Sequence, residues 1–422
     1  MDLIFAEATP PGRGGVSVIR LSGDGARAAA EALAGHLPRA RHAYYRSLHE
    51  GDELLDQALV LRFDERQSFT GEESSEIHLH GAPVIVRRVG LALVHLGARP
   101  AEAGEFTRRA FLNGRMDLAE IEGLGDLLAA ETELQRRQAM RTASGEVARK
   151  TAEWRELLLR AGGLTESSID FADEEVPEEV PAEVYEIGAR LRDAMEAEIA
   201  GFSAAEQIRR GFEVAIVGPP NAGKSSLLNA LARREVAIVS DVAGTTRDVL
   251  EARLDLGGLA VTLLDTAGLR EAEDAVERVG VTRALDRARQ ADLRIHLSED
   301  GAVVAELWQP DDLQVASKAD HSSDAAGMKV SVVNALGLEQ LTEELRKRLE
   351  QRVAGAGLVT RERQVFELEQ AVRALGALSA EGRSEVVAEH LRAASSSLDR
   401  LVGKISADDY LDVVFSSFCI GK

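Results

Sequence analysis

Apolar positions change their period along this chain. Over roughly the first 115 residues, short alternating runs predict strands at Leu3 to Ala8, Val16 to Leu21, Ala58 to Phe63 and Glu76 to His80. Between and after them, Ala26 to Leu37 and Val84 to Leu96 suit helices. From Asp117 the period becomes helical: Leu118, Ile121, Leu124, Leu127 and Leu128 recur on one face, and the pattern runs to Leu164. The acidic stretch from Glu166 to Glu198 reads as a solvated helix face or an interhelical loop. From Gly211, compact apolar runs take over at Val214 to Val217, Val261 to Leu264, Leu293 to Leu297, Leu313 to Ala316 and Val330 to Val333. Helical segments separate several of them, the signature of a doubly wound parallel sheet. After Leu338 the pattern is helical again.

The expected fold is therefore multidomain, α/β plus α. Residues 1–116 form an N-terminal α+β domain and 117–210 the first part of a helical bundle. Residues 211–352 form an inserted Ras-like P-loop domain, and 353–422 return to complete the bundle.

Composition narrows the classes. Of 422 residues, 45% are hydrophobic, which is ample for real cores. A net charge of −21 argues against a protein that coats nucleic acid by charge alone. One cysteine, Cys419, excludes a disulfide scaffold and a multi-cysteine metal site within the chain, and points to a reducing cytoplasm. No apolar run is long enough for a membrane span, and no secretory leader is read at Met1-Asp2-Leu3.

The chemistry concentrates in the third texture. Gly218-Pro219-Pro220-Asn221-Ala222-Gly223-Lys224-Ser225 matches the phosphate-binding loop, between an apolar strand and a helix opening at Ser226. Backbone N–H groups at a helix start cradle phosphate oxygens, Lys224 reaches the β and γ phosphates, and Ser225 ligates Mg²⁺. Downstream, Asp265-Thr266-Ala267-Gly268 ends a strand; an Asp there serves the Mg²⁺ shell and the Gly N–H senses a γ-phosphate. Between them, Gly244-Thr245-Thr246 offers the Thr246 hydroxyl as the switch ligand to Mg²⁺. Ser317-Lys318-Ala319-Asp320 sits where a GTPase carries Asn-Lys-x-Asp. Asp320 reads guanine, Lys318 packs over the base, and Ser317 is a departure that bears on affinity more than on base identity. Ser331-Val332 stands near the expected guanine oxygen. Leu269 replaces the usual water-orienting Gln, leaving Glu271, Glu273, Asp274 and Glu277 as candidates.

Beyond these motifs, the chain resembles the tRNA-modification GTPase family MnmE, also called TrmE. The resemblance rests on Thr9-Pro10-Pro11-Gly12-Arg13-Gly14-Gly15, Ser68-Phe69-Thr70-Gly71-Glu72 and Gly104-Glu105-Phe106-Thr107. It also rests on the run from Phe111 to Leu118 and the terminal Phe418-Cys419-Ile420-Gly421-Lys422. It implies GTP contacts from Asn221, Ala222, Gly223, Lys224, Ser225 and Ser226. It extends them to Ser240, Asp241, Val242, Ala243, Gly244, Thr245 and Thr246, then Asp265 to Gly268, Ser317, Lys318, Asp320, Ser331 and Val332. It implies K⁺ beside the phosphates, held by Asn221, Ser240, Val242 and Thr245, and Glu277 as the catalytic, water-orienting acid. It also implies a one-carbon tetrahydrofolate (5,10-methylene, with 5-formyl as analogue) at Arg20, Glu76, Arg115 and Lys422. Cys419 reads as a small buried residue, a reactive thiol or part of a tRNA or folate pocket, and the resemblance favours a tRNA-modification site role. Arg115 stands where the family commonly has Lys. The implied partners are a second copy of the chain, the flavoprotein MnmG (GidA) in a heterotetramer, and tRNA through that complex. The implied product is 5-carboxymethylaminomethyl- or aminomethyluridine at the tRNA wobble position. The competing expectation is a ribosome-assembly switch of the Era or Der type; a nucleotide-gated scaffold is a third.

Overall fold

A computed structural model describes residues 1–170, 180–237, 250–266, 285–320, 325–380, 382–403, 418 and 421. The chain divides into two compact units. One comprises Met1–Gly125, Ala143–Leu157 and Ser395–Lys422; the other comprises Asp126–Thr142 and Leu158–Ala394.

The first unit is built on a six-stranded sheet. Its strands are β1 (Ile4–Glu7), β2 (Ser17–Ser22), β3 (Tyr44–Glu50), β4 (Glu53–Phe63), β5 (Ser74–Leu79) and β6 (Arg99–Pro100), in the order β3-β4-β5-β2-β1-β6. Only β6 runs parallel to its neighbour. Alternation decides the faces. Ile19, Leu21, Val60, Ile77 and Leu79 point to one side, where α1 (Ala26–Ala34) and α2 (Pro83–His95) bury them. The intervening residues turn a polar row to the other side, with Arg20 paired in register to Ala6 and to Glu76. Strand β3 escapes the sequence pattern because only Tyr44 and Leu48 along it are buried. Helices α3 (Glu105–Leu112) and α4 (Leu118–Ala129) follow. Leu118 and Ile121 form a small core with Phe418 from the C-terminal tail.

In the second unit the P-loop sheet has seven strands. They are β7 (Phe212–Val217), β8 (Val236–Ala237), β9 (Leu250–Leu256), β10 (Leu259–Asp265), β11 (Leu293–Ser298), β12 (Leu313–Ala316) and β13 (Met328–Lys329). Their order is β13-β12-β11-β7-β10-β9-β8, parallel from β13 to β10 and antiparallel beyond. The switch between β7 and β11 puts the loop after β7 at the crevice where such sheets take ligands. Helices α9 (Lys224–Arg234) and α10 (Leu338–Val353) cover one face with Leu227, Leu231, Leu341, Leu345 and Leu349. Ala288, Ala291 and Leu307 cover the other. The fold is thus the expected α/β plus α type. The expected strand at Val330 to Val333 is displaced: pairing stops at Lys329, and Ser331 instead bridges Leu336 across a tight loop.

The remaining helices are α5 (Glu133–Ala143), α6 (Glu146–Asp170), α7 (Ala182–Ala200), α8 (Phe202–Arg210), α11 (Glu362–Gly376) and α12 (Ser384–Leu401). The acidic stretch is helical on both sides of the segment outside the described residues. Chain segments entering and leaving the P-loop sheet are tied together. Gly357 N donates to Gly201 O at 3.1 Å and Leu358 N to Glu198 Oε2 at 2.8 Å. No helix among the described residues is long and apolar enough to cross a membrane.

Candidate functional site

Two sites take shape, one in each unit. The first follows β7. Gly218 has φ +153°, and a Cβ there would lie 1.9 Å from the Leu297 carbonyl oxygen of β11, so the chain passes only because the side chain is absent. Asn221 adopts a left-handed conformation at φ +62°, and Gly223, also left-handed, caps α9. The loop therefore leads directly into the N-terminus of α9, where the free N–H groups and the helix dipole favour anions. Lys224 is buried, and its Nζ donates to the carbonyls of Gly218 and Pro219, each at 2.9 Å. Burial lowers its pKa, and the nearby Asp265 carboxylate opposes that shift. Such a cation, held against the loop, gains by meeting phosphate oxygens.

Asp265 ends β10 and is buried; the Ser225 hydroxyl donates to its carboxylate. Thr266 fixes the strand end by donating its hydroxyl to Ile216 O at 2.6 Å. Parallel register between β7 and β10 brings the two together, pairing Asp265 with Ile216.

Beside the loop lies a cavity of about 260 Å³. Ser226, Ser317, Lys318, Asp320, Ser331 and Val332 line it, with Ala222 and Gly223 of the loop. Lys318 adopts φ +52° and pairs with Glu299. The backbone N–H of Ser317 donates to Ser298 O at 2.8 Å, and that of Ala319 to Val330 O at 3.1 Å, which sets this segment. The Ser317 hydroxyl is buried without a hydrogen-bond partner. Described residues of the sequence-predicted nucleotide set thus converge on one crevice. Ser240 to Thr246, Ala267, Gly268 and Glu277 lie outside the described residues.

The second site is on the polar face of the six-stranded sheet. Arg20 pairs with Glu76 at 3.0 Å, and its guanidinium lies 5.6 Å from the centroid of the Phe69 ring. Phe69 is carried by a loop locked from below. The Ser22 hydroxyl contacts Thr70 Oγ1 at 2.6 Å and donates to Glu72 Oε2 at 2.7 Å, while buried Arg109 holds Glu72 at 3.0 Å. Asn113 Nδ2 donates to Thr70 O at 2.7 Å, and the Arg115 stem lies against Gly71. Arg115 is therefore tied to the loop that carries Phe69. The C-terminal tail reaches the same sheet: a Cβ at Gly421 would lie 2.5 Å from Glu7 O and 3.0 Å from Ala8 Cα, and Gly421 has φ +100°. Cys419 and Lys422 lie outside the described residues. Sequence reading alone singled out neither Phe69 nor Glu299 as a site residue. Phe69 has a signal, an aromatic between polar turn residues; Glu299 has none.

Comparison with known proteins covers the whole chain. A model described as "GTP-binding protein TrmE N-terminus" matches residues 3–115, and one described as "MnmE helical domain" matches 118–419. A tRNA modification GTPase MnmE of Paracoccus denitrificans is 55% identical over 424 aligned residues, covering 100% of both chains. A protein of the same name from Cereibacter sphaeroides is 53% identical, again over 100% of both.

Proposed function

The chain belongs to the MnmE family of tRNA modification GTPases, and from that premise we propose how its two sites divide the work. GTP is held at the loop 218–225, with Asp320 reading guanine and Lys318 covering it. Glu277 orients the attacking water, since Leu269 has no polar atom to do so.

The donor set fits a hard divalent cation: a hydroxyl and a carboxylate, Ser225 and Asp265, already meet beside the loop. Ser225 and Thr246 would hold Mg²⁺, which supplies charge neutralisation at the β and γ phosphates. Asn221, Ser240, the Val242 carbonyl and Thr245 offer the oxygens that K⁺ prefers, and that cation would stand in for an arginine finger.

The N-terminal site binds a one-carbon tetrahydrofolate, 5,10-methylene in function with 5-formyl as analogue. Arg20 and Arg115 would meet its carboxylates and polar ring edge, Phe69 would offer a face for stacking, and Glu76 would accept from ring N–H groups. With an MnmG (GidA) flavoprotein partner, a homodimer of this chain installs carboxymethylaminomethyl or aminomethyl at C5 of the tRNA wobble uridine. Cys419 and Lys422 complete that centre, and the reaction runs in the cytoplasm.

The observation that carries the modification half is the seat of Gly421 against Glu7 and Ala8, on the strand paired to the one bearing Arg20. Reconstitution with partner, tRNA, folate and GTP, read by nucleoside mass spectrometry, tests it. The expected result is folate-dependent modified uridine that Arg20→Ala abolishes while GTP hydrolysis persists. Product formed without folate, or unaffected by Arg20→Ala, would overturn the assignment.

A further inference from the structure

A third polar cavity is unrelated to either site. It has a volume of about 110 Å³ and lies where α4 and α5 meet the chain segments that enter and leave the P-loop sheet. Its polar lining is Asp126, Gln135, Gln138, Thr142, Arg209 and Thr360, backed by alanine methyls.

Several of these groups are already satisfied. Gln135 donates to Arg209 O at 3.2 Å and accepts from Glu131 N at 2.9 Å and Thr132 N at 3.2 Å. Thr142 donates to the Gln138 carbonyl. Others are not. The Thr360 hydroxyl is buried with no hydrogen-bond partner, on a residue only 2% exposed. Gln138 spends its Nε2 on Ala205 O at 3.0 Å, which fixes the amide orientation and leaves Oε1 buried without a donor. Outside the lining, Arg361 pairs with Asp126 through Nη2. Arg209 donates Nε to Thr360 O at 3.1 Å, while its Nη2 reaches Glu206 only at 3.7 Å.

Arg209 is the cation in the lining. Burial disfavours its charge, Arg361 adds to that, and Asp126 and Glu206 oppose it. Cationic N–H groups and an orphaned hydroxyl call for a charged acceptor, whereas Gln138 Oε1 calls for a donor. A water cluster supplies no charge. A phosphodiester supplies charge but no O–H. A phosphate bearing a hydroxyl supplies both, and it is small enough for a cavity of about 110 Å³.

We propose that this cavity is a binding site for hydrogen phosphate, gripped by Arg209, Thr360 and Gln138. It shares no residue with the 218–225 loop. Its occupant bridges the entering segment at Arg209 and the leaving segment at Thr360 to the α5 residue Gln138, and so stiffens the neck of the P-loop domain.

Equilibrium dialysis of radiolabelled orthophosphate against the full chain tests this, in a Lys224→Ala background that disables the nucleotide loop. The expected result is saturable binding of one phosphate per chain. Thr360→Val, which removes only the hydroxyl, and Gln138→Leu should each weaken it by about tenfold, and Thr360→Ser should restore it. If Thr360→Val fails to fold by circular dichroism, Gln138→Leu decides alone. Absence of saturable binding leaves a water-filled cavity and overturns the proposal. Binding indifferent to these substitutions also overturns it. Displacement of phosphate by a single-stranded RNA oligonucleotide would reassign the site to nucleic-acid backbone and overturn it as stated.

Discussion

Gly218→Ala should uncouple nucleotide binding from folding. The added methyl carbon would sit 1.9 Å from the Leu297 carbonyl oxygen, and contacts under 3.0 Å are essentially never seen for a real Cβ. Either β11 or the loop must yield by roughly 1 Å, in a backbone region that L-residues rarely adopt. Strand β11 is held on both sides, by β7 and by β12, and every residue in it is buried. The loop is exposed at Pro219, Pro220 and Asn221 and moves instead. A displacement of about 1 Å costs on the order of 10²-fold where groups must align. Loss of one charge-assisted bond to phosphate, at about 1.5–3 kcal/mol, gives a similar factor. The assay is titration with a fluorescent GDP analogue, beside thermal unfolding of the same sample. Affinity should fall by roughly 10²-fold with the fold intact. Affinity within about threefold of the parent, less than 1 kcal/mol, would refute the steric argument.

Three further outcomes follow from particular contacts. Asp312 is wholly buried and accepts from Arg294 Nε at 2.9 Å, His296 Nε2 at 3.1 Å and Gln309 N at 2.8 Å. Asp312→Ala leaves the Arg294 charge unpaired and should cost about 3–5 kcal/mol in denaturant unfolding. Burial raises the Asp312 pKa, but the bonds from His296 and Arg294 outweigh it and hold the folded value below the ordinary 3.8. Its contribution is therefore present above pH 3.8 and lost as pH falls through the lower folded value, so acid unfolding should lose that component in Asp312→Asn. Ser317→Asn gives the base cavity the missing amide and should tighten GDP by about tenfold in the same titration; unchanged affinity would mean Ser317 is compensated. Gly421→Val should displace the tail from Glu7 and Ala8, abolishing wobble modification while leaving GTP hydrolysis intact.

The parallel core was legible because strands buried on both faces read as unbroken apolar runs, as at Val214 to Val217. The nucleotide loop was legible because its constraint is local, a turn that needs glycine and a helix start. Strand β9 was not, since Leu250–Leu256 alternates with Glu251, Arg253 and Asp255 and lies antiparallel at the sheet margin. Nor was the Arg294–His296–Asp312 cluster. Leu293 to Leu297 reads as a buried strand, but nothing local shows what satisfies Arg294 and His296 inside it; that takes a carboxylate 18 residues on. The second site depends on tertiary placement throughout. Arg20 and Glu76 meet through sheet register, Phe69 through a hydroxyl network, and Gly421 through a tail that crosses the length of the sequence.

We propose that GTP hydrolysis here needs a monovalent cation and Glu277. The most direct measurement is GTP hydrolysis by the purified chain in KCl and in NaCl at equal ionic strength, with Glu277→Ala alongside. Strong stimulation by K⁺ that disappears in the variant is expected. Equal rates in the two salts, or a variant as fast as the parent, would contradict it.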